Sequence, residues 1–298
     1  MATANGNAHW RAPELGEART LELDGGRLDV HVTGDGPAIV FVHGLLVNAN
    51  LWRGVVGRLD GFTRVAIDMP LGSHRVAMPA RRLTPDDLGA LIGEAVQALG
   101  LDDATLVGND TGGALCQIAA SHRPDWLGRL VLTSCDAFEH FPPPMLKPLF
   151  AQLRVPGGAL AALTPMRMRA ARRLPIAYGL LTHHAIADEP SDSYVMPALL
   201  DADVRADLVR VSRGIDSCHT RQAAERLKAF DRPALIAWSA DDKFFPREDG
   251  ERLAATIPGA RFELIPGART FSPEDRPGEL ADLIAEFARE TASVGGAA

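Results

Sequence analysis

Short apolar runs alternate with amphipathic stretches along most of this chain. Leu21-Glu22-Leu23 and Leu28-Asp29-Val30-His31-Val32, separated by Gly25-Gly26, have the period-two alternation of an antiparallel hairpin. Ala38–Val42, Val65–Ile67, Ala104–Val107, Leu130–Thr133, Pro233–Trp238 and Glu263–Ile265 are short runs of buried-strand type. Between them, apolar residues recur at helical spacing: Leu51, Trp52, Val55 and Val56; then Leu88, Leu91, Ile92, Ala95, Val96 and Leu99; and finally Leu280, Leu283, Ile284 and Phe287. Thr84-Pro85-Asp86-Asp87 supplies a capping hydroxyl, a first-turn proline and acids at the positive helix end, and Gly100 marks the stop. Strands alternating with helices predict an α/β chain built on a mostly parallel, doubly wound sheet.

The rhythm breaks after Phe138. Phe141-Pro142-Pro143-Pro144 opens a segment rich in Arg, Ala, Leu and Met that runs to Leu227, helical in pieces and without a clear strand. Its place between the sixth and seventh strands predicts an inserted helical lid. The expected organisation is a core of residues 19–136 and 228–291, a lid of 137–227, and flexible tails at 1–13 and 292–298. Ligands of such sheets bind beyond the carboxyl ends of the strands, so the residues after each strand carry the candidate chemistry.

Composition narrows the function. The 298 residues carry a formal charge of −7, which argues against nucleic acid as a partner. Arg167, Arg169, Arg172 and Arg173 read as a solvated helix face. Three cysteines, Cys116, Cys135 and Cys218, lack metal-ligand spacing and suit a reducing compartment. No signal peptide or membrane span is evident, so a cytoplasmic location is expected, with a small molecule as partner and neither metal nor cofactor. No sequence signal fixes an oligomeric state.

The most informative stretch is Gly108-Asn109-Asp110-Thr111-Gly112, between an apolar run and a helical pattern. Small-x-Asp-x-small fits a nucleophile elbow, in which very small neighbours let strand and helix approach a strained central residue. A plain Asx-type helix start is the alternative from this stretch alone. Such a turn lifts the Asp110 carboxylate into the open beside a helix N-terminus.

Together with His43-Gly44 after the third strand and Trp238-Ser239-Ala240-Asp241-Asp242-Lys243-Phe244-Phe245-Pro246 after the seventh, the elbow resembles the α/β-hydrolase fold. An Asp at the elbow is most similar to the branch of haloalkane dehalogenases and soluble epoxide hydrolases. The resemblance covers residues 21–134 and 230–287; the lid matches only in position. It implies that Asp110 attacks an electrophilic carbon to form an ester, and that the backbone N–H groups of Leu45 and Thr111 stabilise negative charge. A histidine oriented by an acid then activates water. Asp242 suits that acid better than Asp241, since it stands four positions before Pro246.

The histidine is missing. The chain has Thr270 where the resemblance places it, and threonine is no base near neutral pH. A positioned base contributes about 10²–10⁴ in rate, so an ester on Asp110 would clear slowly. His74, in the loop after a core strand, is the candidate substitute base or binding residue; His43 reads as structural. The lid holds two tyrosines, Tyr178 and Tyr194, the number that epoxide hydrolases use to polarise substrate, although they lie closer in sequence than that pattern has them. Thr111 and Leu45 stand where dehalogenases place halide-holding side chains; Asn48 or Asn50 is the alternative holder, although both read first as helix caps.

Three readings stay open: a hydrolase with a displaced base, a lyase, isomerase or cyclase working through Asp110 without an ester, and a non-catalytic small-molecule-binding protein on the same fold.

Overall fold

The computed structural model describes residues 4–295. Eight strands form one sheet in the order β1-β2-β4-β3-β5-β6-β7-β8. They are β1 Glu17–Leu23, β2 Gly26–Thr33, β3 Ala38–Val42, β4 Thr63–Ile67, β5 Ala104–Asp110, β6 Leu127–Cys135, β7 Ala234–Ser239 and β8 Arg261–Ile265. β2 runs antiparallel to β1 and β4, and β4-β3-β5-β6-β7-β8 are parallel.

Side chains alternate across a strand, and the continuous apolar runs exist because both faces are covered. Val40, Val42, Leu106, Leu130, Leu132 and Ile236 join one core with the helices Pro85–Ala98 and Thr111–Ser121. Their neighbours Ile39, Phe41, Val107, Val131 and Leu235 join a second core with the helix Pro277–Gly295. Thr84 caps its helix through Asp87 as its sequence requires.

Between β6 and β7 the chain is helical, but its pieces divide. Short segments, among them Lys147–Leu153, Gly158–Leu163 and three tight turns over Thr164–Gly179, cover the strand ends. The helix Asp188–Leu200 is riveted to the core: Asn48 donates to the Ser193 carbonyl at 3.0 Å, Asn50 to the Ser193 hydroxyl at 2.9 Å, and Ser73 to the Tyr194 carbonyl at 2.5 Å. The helix Ser217–Leu227, expected with the lid, packs instead against Thr111–Ser121 in the core layer.

The tail expectation fails within the described residues. Ala8 and Ala12 are buried, Asn7 donates to Asp192 at 2.9 Å, and Arg11 pairs with Asp68 at 2.7 Å. Side-chain partners far along the chain hold this segment, and a short polar sequence does not announce them. At the other end the last helix continues to Gly295; residues 296–298 lie outside the described residues. The basic cluster divides: Arg167 and Arg173 are exposed as expected, but the other two are not free. Arg172 is buried and Arg169 and Arg172 both pair with the buried Asp192, at 2.5 Å each.

Candidate active site

The site is assembled where β3, β5, β6 and β7 end. β5 terminates at Asp110, whose φ of 55° and ψ of −134° lie in a region costing roughly 1–3 kcal/mol. Close packing imposes that conformation. A Cβ on Gly112 would come within 2.4 Å of the Val42 and His43 carbonyl oxygens, and one on Gly44 within 2.0 Å of Asp110 Oδ2. The small residues flanking the elbow are thus demanded by neighbouring backbone and by the carboxylate itself.

The Asp110 side chain faces a cavity of about 110 Å³ beneath the lid. Leu45, Leu46, Phe141, Phe150, Tyr178, Phe244 and Phe245 are among its walls, which are mostly apolar; Asp110 and Asp136 are its two charged lining residues. The Thr111 and Leu45 backbone N–H groups, expected as an oxyanion pair, donate to the Asp110 carboxylate. Burial is the larger effect, and the nearby Asp242 adds to it, so the Asp110 carboxyl is raised to about 7.

Asp242 lies beside the site as expected. Its Oδ1 accepts from the Phe244 and Phe245 N–H groups at 2.7 and 2.9 Å, and burial pushes its carboxyl up. Asp241 is turned away, with its carboxylate 3.0 Å from His183. Thr270 is fully buried and donates its hydroxyl to Asp242 Oδ1 at 2.9 Å, while its carbonyl accepts from Asn109 at 2.7 Å. The missing imidazole's place is therefore filled by a hydroxyl bonded to the orienting acid.

Among the described residues, no histidine lines the cavity. The structure does not bring His74 there. Its Nδ1 accepts from the Gly72 N–H at 3.3 Å and its Nε2 bonds Asp207 at 3.1 Å, so both nitrogens are committed to fixing a loop. His43 donates from Nδ1 to the Gly44 carbonyl at 2.8 Å and accepts the Met69 N–H at 2.9 Å. Burial drives it down to about 4, and it shapes the turn as an uncharged ring. Asn48 caps its turn through the Asn50 N–H.

The tyrosines part company. Tyr178 lines the cavity and donates its hydroxyl to the Leu46 carbonyl at 2.7 Å. Tyr194 is fully buried outside the cavity lining, with its hydroxyl donated to Glu274 at 3.1 Å. The two do not act as a pair on one substrate atom.

Asp136 is the site residue that sequence reasoning missed. It follows β6, so the rule that singled out residues after strands applied to it, but no motif accompanied it. The Thr111 hydroxyl donates to its Oδ2 at 3.2 Å; its Oδ1 is buried without a partner. Burial and the adjacent Asp110 hold its carboxyl far above the usual range.

This geometry has relatives. The family model described as "alpha/beta hydrolase fold" matches residues 37–277. The chain belongs to the α/β hydrolase fold family. It is 26% identical over 290 residues to haloalkane dehalogenase 2 of Mycobacterium tuberculosis, covering 91% of this chain and 94% of that one. It is 25% identical over 254 residues to the uncharacterized hydrolase YugF of Bacillus subtilis, covering 84% and 89%. Among solved structures, haloalkane dehalogenase DatA from Agrobacterium tumefaciens C58 superposes with a TM-score of 0.79 at 21% identity, over 94% of this chain and all of that one. The α/β-hydrolase architecture expected from the motifs is thereby established, and hydrolases dominate its named relatives. No helix among the described residues is long and apolar enough to cross a membrane.

Proposed function

We propose that this protein is an enzyme acting on a small, largely apolar molecule, with the Asp110 carboxyl as its proton donor and acceptor. The observation behind the reading is the pairing of Asp110, raised to about 7 in an apolar cavity, with a hydroxyl where the water-activating imidazole would stand. A carboxyl poised near neutrality suits proton transfer. A covalent ester on it would have no neighbouring base to clear it. The chemistry favoured is thus of lyase, isomerase or cyclase type, and hydrolysis with His74 as displaced base finds no support in that side chain's placement.

The test is deuterium uptake. Small apolar ketones such as cyclohexanone, incubated with the protein in D2O, are expected to exchange the C–H beside the carbonyl, and Asp110→Asn is expected to abolish it. Haloalkanes and epoxides, followed by intact mass and halide release, provide the counter-test. Many turnovers of halide per chain would overturn the proton-transfer reading in favour of hydrolysis. Binding of apolar ligands with neither exchange nor release would favour a non-catalytic binding protein, the reading to which the absent base also lends itself.

A further inference from the structure

Among the described residues, two carboxyls line the cavity and no positive side chain does. Buried acids are ordinarily paired with a cation or satisfied by donors. Asp110 receives two backbone N–H groups, but Asp136 is 2% exposed, receives one hydroxyl on Oδ2, and leaves Oδ1 unbonded. The orphan oxygen is an observation separate from the acidity of the site. It asks for a donor that the chain itself does not supply.

We infer that the cavity takes a small apolar amine, whose ammonium sits between Asp110 and Asp136 Oδ1 while its hydrocarbon part rests against Phe141, Phe150 and Phe245. An ammonium presents three N–H donors, enough to reach both carboxylates at once. The apolar walls match an alkyl or cycloalkyl body and give nothing to a second polar group. A metal ion is the other cation to consider, but the described residues contain no grouping of three or more acid, histidine or cysteine ligands able to hold one. The inference rests on the proposed function only in placing the ligand in the same cavity. It sharpens the substrate class from apolar to apolar and cationic.

The probes are cyclohexylamine and its uncharged counterpart cyclohexanol, titrated calorimetrically into the full chain at pH 7. The amine is expected to bind at least tenfold more tightly than the alcohol. Asp136→Asn, checked for folding by its thermal melt, is expected to erase that preference. Titration of the wild-type chain in two buffers of different ionisation enthalpy gives a second readout that needs no variant: amine binding is expected to release a proton and alcohol binding none. Equal affinities, an unchanged preference in Asp136→Asn, or no proton release would each overturn the inference. Those outcomes leave the ketone exchange test untouched, because its probe is uncharged and its variant is at Asp110.

Discussion

Thr270 donates its hydroxyl to Asp242 Oδ1 at 2.9 Å, so the acid that would orient a histidine orients a threonine. Its three donors converge on one oxygen: Asp242 Oδ1 collects two backbone N–H groups and this hydroxyl, while Oδ2 is buried without a partner. Thr270→Val keeps the volume and removes the donor. It is expected to cost about 1–2 kcal/mol in urea unfolding, with the Asp242 carboxyl pushed further up. No loss of stability would mean that the contact is incidental.

Thr270→His tests the converse. An imidazole there would stand beside Asp242 and toward Asp110. Haloalkane turnover is expected to rise by roughly 10²–10⁴, the usual worth of a general base. Overpacking of a buried site is expected to cost about 1–3 kcal/mol of stability. Halide release over time is the measurement; a properly folded variant with no gain would show that Asp110 is not placed to act as a nucleophile.

Asp110 imposes a pH dependence whose sign can be worked out. Its folded value of about 7 lies above the ordinary 3.8, so the folded state holds the proton more tightly between those values. Stability from this group is intact below about pH 4 and declines as pH rises toward 7. His43, lowered to about 4 from 6.5, acts in the opposite direction, its share being lost as pH falls through that window. The difference between wild type and Asp110→Asn isolates the first effect. The variant is expected to be more stable by on the order of 2–4 kcal/mol at pH 7.5 and about equal at pH 4. Equal melting curves at both pH values would refute it.

His74→Ala separates a structural histidine from a base. Removing the ring leaves the buried Asp207 with Arg210 and the Met78 N–H. A loss of about 1–3 kcal/mol is expected, since a buried carboxylate loses one of its hydrogen-bond donors. Ketone exchange at Asp110 is expected to stay within about twofold; a hundredfold drop would return His74 to the chemistry.

Gly44→Ala probes the fit at the elbow. Its Cβ would stand 2.0 Å from Asp110 Oδ2 and 2.6 Å from Asp110 Cβ. Displacement of the carboxylate is expected to lower exchange at least a hundredfold while ligand-free folding persists, to be checked by melting and D2O uptake together.

The strands were legible because parallel strands covered on both faces must be apolar throughout, and Asp110 and Asp242 because each follows such a run. Where meaning depends on partners distant in sequence, the reading failed. His74 looks like a pocket histidine until Asp207, 133 residues away, claims it. Arg172 looks solvated until Asp192 and Ser191 are seen against it. Asn7 belongs to a packed segment for the same reason. Asp136 escaped because a lone acid after a strand has no pattern, and its significance comes from Asp110 beside it on the neighbouring strand end.

The rivets through Ser193 and Tyr194 divide the insertion into a pinned helix, none of whose residues lines the cavity, and the short segments that do line it. Asp188–Leu200 is also clasped by Asn7 through Asp192. The exposed apolar side chains Met145, Met168, Leu174 and Ile176 all belong to those short segments, and Ile176 lines the cavity as well. A ligand's approach to Asp110 is therefore expected past residues 142–178, and the N-terminal segment adds only to the anchoring of the helix behind them.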